Sequence, residues 1–144
     1  LHLISNQPKD KLHSQLDHGN FSRSNKINGR EPVYINKIDA DKRNLKDKDL
    51  VKVYNDRGSC YASVVIDNNL RSGVILISTG AWYDPIDPSI NNSPCKNGNP
   101  NTLTPDKGTS SLAQGPIAHT CMVEIRLAEG EIPPVTAYDP PRFI

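Results

Sequence analysis

Two stretches of this chain concentrate side chains able to grip a polar ligand. One is Lys11-Leu12-His13-Ser14-Gln15; the other runs from Lys96 to Gly115 and holds Asn97, Asn99, Asn101, Thr109, Ser110 and Gln114. An Asn or Gln amide carries donors and an acceptor side by side, so one such side chain can meet the donor–acceptor edge of a heterocycle. Hydroxyls and loop N–H groups suit phosphate oxygens. Amides, hydroxyls and one lysine together fit a ligand with both a heterocycle and phosphates. The same residue types also make ordinary surface loops, and composition alone leaves both readings open. In the second stretch Leu103 and Leu112 are the only sizeable apolar side chains, so burial is not expected to hold it together.

Other chemistry is poorly supplied. There is no GxSxG, P-loop or HExxH, and no GxGxxG at a strand–helix junction. Ser78-Thr79-Gly80 has the outline of an aspartic-protease loop, but Ser stands where the catalytic Asp would be. The carboxylate pairs Asp39/Asp41, Asp47/Asp49 and Asp84/Asp87 sit in turn or cap contexts, which turn chemistry explains more simply than acid–base work. Cys60, Cys95 and Cys121 are too widely spaced for a zinc clip and odd in number, and are expected as small buried side chains. His119 and Cys121 share a strand face, but two ligands do not make a structural zinc site.

The elements that must position these residues are short strands. With 144 residues and a net charge of +1, the chain has the size of one domain and no polyanion-binding surface, so nucleic acid is not an expected partner. No apolar run approaches the ~20 residues of a membrane span. Lys9, Lys11, Arg23, Lys26 and Arg30 are interspersed and read as a solvated face. Strands are predicted over Leu1–Ser5 and Val33–Ile35, and a hairpin over Leu50–Tyr54 and Ser59–Ile66 about an Asn-Asp-Arg-Gly turn. Val74–Ile77 reads as a strand buried on both faces, and His119–Leu127 as the last strand. Asn36–Asn44 reads as a short helix with Ile38 and Leu45 as its apolar contacts and Asn44 as a left-handed exit. Thr109–Ala113 offers one further helical turn. Five or six strands without βαβ alternation point to a closed or nearly closed β-barrel with a small helix.

Five segments occur in the order expected of one family: KLHSQL, INKIDADKRNLKDKDLVKVYNDRG, ISTGAWYDP, NGNPNTLTPDKGTS and SLAQG. With them the chain resembles, from Leu3 to about Leu127, the C-terminal molybdopterin-dinucleotide-binding domain of the dimethyl sulfoxide reductase family. It is most similar to the branch of biotin sulfoxide and trimethylamine N-oxide reductases. The resemblance implies a mainly β fold, a six-stranded double-psi β-barrel with one or two short helices. It also implies a bis(molybdopterin guanine dinucleotide) molybdenum cofactor, in parent enzymes that reduce S- or N-oxides by oxygen-atom transfer. Carried over residue by residue, cofactor contacts fall on Gln7, Lys11, His13, Ser14 and Gln15 around the HSQ motif, on Asn99 and Asn101 in GNPN, and on Gln114 in SLAQG. Gly98, Gly108 and Gly115 would let backbone approach the ligand. Trp82 and Tyr83 are expected to be packing or domain-interface aromatics.

The sequence departs from the family pattern where Lys11 replaces a common Arg and where Asn44 and Lys48 replace common glycines. Asn tolerates a left-handed turn, and Lys at such a turn is strained. The expected organisation is a cofactor-binding barrel over residues 1–130 and a Pro-rich tail over 131–144 that packs on the parent enzyme. The chain lacks an initiating Met and reads as a piece of a larger protein or a processed subunit. Its partners are then the remaining domains of the same polypeptide, one of which supplies the Ser ligand to molybdenum. The competing expectation is a stand-alone β-barrel interaction module that binds a protein through the polar loop 96–115.

Overall fold

The computed structural model describes residues 1–140. Its seven strands are β1 (His2–Ile4), β2 (Pro32–Ile35), β3 (Leu50–Asn55), β4 (Gly58–Ile66), β5 (Val74–Ile77), β6 (Cys121–Met122) and β7 (Glu124–Leu127). Two five-residue helices, α1 (Asn20–Ser24) and α2 (Lys37–Asp41), and a 3₁₀ turn over Pro100–Thr102 complete the regular structure. The strands form one curled mixed sheet in the order β6-β1-β5-β2-β4-β3-β7. Pairs β1/β5 and β2/β4 are parallel, and the others are antiparallel. The strands at the two ends of that order, β6 and β7, are separated along the chain by Val123 alone.

Alternation explains the core. In β3 Val51 and Val53 are fully buried while Lys52 and Tyr54 face outward, as a period of two requires. Leu3, Val33, Val53, Val64, Ile75 and Ile125 bring one inward side chain from each of six strands, none more than 2% exposed. The hairpin forms as expected, with Asn55 opposite Gly58 and the Asn55 Oδ1 accepting from Arg57 N–H at 2.9 Å. All three cysteines are buried and unbridged.

Several expectations need correction. His119–Leu127 is not one strand: Cys121-Met122 pairs with β1, and after Val123 the chain passes to β3. Cys121, Val123 and Ile125 are buried, but Leu127 lies beyond the inward set and is exposed. In β5 only Ile75 and Ile77 are buried, so the apolar run alternates after all. Helix α2 is capped by Asn36, whose Oδ1 accepts from Ile38 N–H at 2.8 Å, and Leu45 packs inward, whereas Ile38 points to solvent. Asn44 leaves at φ 54° and Lys48 sits at φ 68°, held by its N–H on the Val64 carbonyl at 2.8 Å. The segment Thr109–Ala113 is a hydrogen-bonded loop, with Ser110 N–H on Ala113 O at 3.0 Å, and the helical turn lies at Pro100–Thr102 instead. The polar run also divides: Lys96 to Pro100 and Leu103 are buried, whereas Leu112 is fully in solvent.

Candidate functional site

The HSQ loop takes its shape from two left-handed residues, His13 at φ 50° and Leu16 at φ 65°. It is laid directly against the segment leaving β5. Gly80 has φ +100°, and a Cβ there would fall 1.8 Å from the His13 carbonyl oxygen. Only glycine satisfies both the dihedral and the contact. Trp82 fastens the same junction from the other side, its Nε1–H donating to the Ser14 carbonyl at 2.8 Å. Thr79 is held by its N–H on the Asn6 carbonyl at 2.9 Å. The third element is the 3₁₀ turn, where Asn99 Oδ1 accepts from Asn101 N–H at 2.9 Å as an N-cap.

These three elements enclose an open cleft of about 410 Å³ lined by His13, Ser14, Thr79–Tyr83, Asn99 and Asn101. A second depression of about 270 Å³ shares Tyr83, Asn99 and Asn101 with it and adds Arg57, Asn92 and Thr102. Four of the expected contact residues therefore converge: His13, Ser14, Asn99 and Asn101. Asn99 uses its amide oxygen as a cap, but the side chains of His13, Ser14, Thr79 and Asn101 make no hydrogen bond to any described residue. An exposed set of unspent imidazole, hydroxyl and amide groups on three fixed loops can bind heterocycle edges and phosphate oxygens. Thr79 and Tyr83 were not among the expected contacts. Their position within ISTGAWYDP, straight after a strand, was the available signal.

The other expected residues lie elsewhere. Gln7 donates to the Lys11 carbonyl at 2.7 Å and lines a separate cavity of about 480 Å³ with Asn6, Tyr34 and Leu76. Gln15 is exposed, its N–H closing a turn on the Leu12 carbonyl at 2.9 Å. Gln114 is exposed in the loop closed by the Gly108–Pro116 bridge and donates to the Ser110 carbonyl at 2.8 Å. Gly98, at φ +80°, meets not a ligand but Glu31, whose Cβ is 2.8 Å from where its own would stand. Lys11 turns inward.

Under the cleft Lys11 and Lys26 surround Asp17 and Glu31, with every charged side chain at most 5% exposed. Asp17 Oδ1 lies 3.0 Å from Lys11 Nζ and 3.1 Å from Lys26 Nζ, and Glu31 Oε1 contacts both ammonium groups. Asp17 Oδ2 accepts from Trp82 N–H at 2.9 Å and from the Tyr138 hydroxyl at 2.7 Å. Burial alone would raise the Asp17 pKa; the Trp82 N–H, the Lys26 charge, Tyr138 and Lys11 outweigh it and hold the carboxyl at about 2. Two positive and two negative charges leave this cluster neutral. The expected solvated face is thereby corrected: Lys11, Arg30 and the side chain of Lys26 are buried because acids and carbonyls receive them, among them the Pro133 carbonyl from the far end of the chain. Burial, with Cys95 adding to it, pushes the Cys60 thiol far up, so this sulfur stays protonated. No cluster of His, Cys, Asp or Glu suited to a metal ion occurs among the described residues.

A family model described as "Molydopterin dinucleotide binding domain" matches residues 1–122. Trimethylamine-N-oxide reductase of Vibrio cholerae serotype O1 is 46% identical over 140 residues, which cover 96% of this chain and 17% of that protein. The Haemophilus influenzae trimethylamine-N-oxide reductase is 41% identical over 145 residues, covering 100% of this chain and 18% of that protein. The chain thus spans under a fifth of the length of these relatives. Among solved structures, acetylene hydratase from Pelobacter acetylenicus shares the fold with a TM-score of 0.70, over 89% of this chain and 18% of that chain, at 13% identity. The matches agree with the expected dinucleotide-binding domain and give no support to a stand-alone interaction module.

Proposed function

This chain belongs to the molybdopterin dinucleotide binding domains of the dimethyl sulfoxide reductase family, and from that premise we propose that the cleft between His13, Gly80 and Asn101 holds part of a bis(molybdopterin guanine dinucleotide) molybdenum cofactor. The observation that carries the reading is the set of unspent donors on three loops that the fold presses together. A dinucleotide needs amides for its heterocycles and hydroxyls and imidazole for its phosphates, and this is the donor set the cleft supplies. The residues present therefore fit the group. When bound, the cofactor supplies the oxygen-atom transfer and redox chemistry; the chain's part is binding, orientation and exclusion of water. Asn101 and Ser14 bind from two sides, and Trp82 and Tyr83 cover the cleft with aromatic surface. Gln7, Lys11, Gln15 and Gln114 complete the proposed set from outside the cleft, Gln7 from the separate cavity that it lines. Of these Gln114 lies on a solvent-facing loop from which its amide can turn to a ligand, and Lys11 acts by fixing Asp17 and Glu31.

The parent protein is proposed to reduce an N- or S-oxide, with trimethylamine N-oxide favoured by the relatives. The remaining domains of the same polypeptide would supply the metal's protein ligand and most of the substrate pocket. The finer fold proposed is a six-stranded double-psi β-barrel. It is supported by the position of β6 and β7, two short strands separated by Val123 alone that pair with β1 and β3 and so bring the two ends of the sheet together. The division into a barrel over 1–130 and a tail over 131–144 is proposed on the same footing, and residues 141–144 lie outside the described residues.

In the intact parent enzyme, Asn101→Ala and Gln114→Ala should each lower molybdenum and guanine content several-fold, and Asp87→Ala should not. Asp87 is the control because its carboxylate only caps its own turn, accepting from Ser89 N–H at 2.9 Å and the Ser89 hydroxyl at 2.6 Å. Elemental analysis and nucleotide release check this, and equal content in all three variants would contradict the assignment of these loops.

A further inference from the structure

The tail past the family match folds back beneath the cleft. Pro133 offers its carbonyl to Arg30 Nη2 at 2.7 Å. Asp84 accepts from Thr136 N–H at 2.7 Å, from Ala137 N–H at 3.1 Å and from the Thr136 hydroxyl at 2.9 Å. Lys96 joins the same knot, its Nζ donating to Thr136 Oγ1 at 2.8 Å and lying 3.2 Å from Asp84 Oδ1. The Tyr138 hydroxyl donates to Asp17 and accepts from Asn97 Nδ2 at 3.0 Å, and its ring lies 5.8 Å from that of Trp82.

Asp17, Asp84 and Asn97 are the three residues that matter here, because each belongs to a different loop of the cleft. Asp17 follows His13-Ser14, Asp84 follows Trp82-Tyr83, and Asn97 precedes Asn99 and Asn101. Asn97 is itself fully buried and also donates to the Trp82 carbonyl at 3.0 Å. Six residues of tail thus brace, from behind, loops that also meet one another through Trp82 and Asn97. Loops of this kind lose conformational freedom when they bind, and a strap that orders them beforehand removes part of that cost.

We propose that Thr136 and Tyr138 are positioning residues: they strap the His13–Asp17, Gly80–Asp84 and Asn97–Asn101 loops into the arrangement that receives the dinucleotide, without touching it. The inference rests on the proposed function for the identity of the ligand, but not for the strap itself.

The test uses the intact parent enzyme, prepared with and without cofactor, and its Tyr138→Phe variant. The readouts are peptide-resolved hydrogen exchange and bound guanine nucleotide. Removing the hydroxyl leaves the Asp17 carboxylate and the Asn97 amide short of a partner. Exchange in 13–17, 80–84 and 97–101 of the cofactor-free enzyme should therefore quicken about tenfold, and that in the β3–β4 hairpin should not change. Guanine content should fall alongside. Faster exchange confined to 133–140 would overturn the strap. Faster exchange in the three loops with full nucleotide content would uphold the strap and overturn the cleft as the dinucleotide site. Should Tyr138→Phe fail to fold, Thr136→Val is the second variant, because the two backbone N–H bonds to Asp84 survive it. It should quicken exchange at 84–86 and 96–99, and unchanged exchange there would overturn the proposal.

Discussion

Replacing Asp17 by Asn should destabilise the domain by about 3–5 kcal/mol, among the largest effects of any single polar substitution in the chain, because it removes one partner of a buried ion cluster. Lys11 and Lys26 would then share Glu31 alone, with one positive charge left uncompensated in a site that excludes water. Urea unfolding of the expressed chain measures this directly. The pH dependence follows from the same carboxylate. Its folded pKa of about 2 lies below the ordinary 3.8, so the native state favours the charged form. The sign is that of a depressed acid: the contribution, about 2 kcal/mol, is complete above the unfolded value and is lost as pH falls through about 2. The Asp17→Asn variant should be flatter across pH 4 to 2 than the parent sequence. Equal slopes would show that the cluster is not what acid breaks.

Gly80→Ala carries the second large effect, on ligand binding. The new Cβ would stand 1.8 Å from the His13 carbonyl oxygen and 2.6 Å from its carbon, so backbone must move. The loop bearing His13 and Ser14 is then pushed out of the cleft, and contacts to a phosphorylated ligand are lost together. Loss of one or two charge-assisted hydrogen bonds corresponds to a fall of about tenfold or more in retained guanine nucleotide. Gly73→Ala separates the contact from the dihedral. Gly73 has φ +89° but nothing within 4 Å of its would-be Cβ, so it suffers the backbone strain alone. Gly73→Ala should lower stability and leave nucleotide content near the parent value. If both substitutions lost nucleotide equally, the close approach of Gly80 to His13 would not be what forms the site.

What could be read from the sequence was whatever rests on local rules. The hairpin was legible from alternation about Asn55-Asp56-Arg57-Gly58, and the αL exit at Asn44 from residue type. His13, Ser14, Asn99 and Asn101 were legible as candidates from their residue types and from the resemblance, and the fold brings the four to one cleft. What stayed hidden depends on partners far apart in the chain. Lys11 reads as a ligand contact or a solvated charge, since Glu31 and the second ammonium of Lys26 join Asp17 around it only in the folded chain. Asp84 looked like half of a turn pair with Asp87; only the folded tail shows that it anchors Thr136 and Ala137. The break in the last strand at Val123 was invisible because Cys121, Val123, Ile125 and Leu127 keep one period-two face across it, while the pairing partner changes from β1 to β3. That the Gln7 and Gln114 amides rest on local carbonyls, of Lys11 and Ser110, is likewise a feature of the folded loops and not of the motifs.

The central claim is that three loops of this chain form one dinucleotide-binding cleft. Peptide-resolved hydrogen exchange of the intact parent enzyme, compared with and without its molybdopterin guanine dinucleotide cofactor, tests it most directly. The account predicts that loading protects the segments 12–16, 79–83 and 98–102 together, while the outward edge at β6 and the turn at 87–93 exchange as before. Protection that left those three segments unchanged and appeared elsewhere on the domain would contradict it.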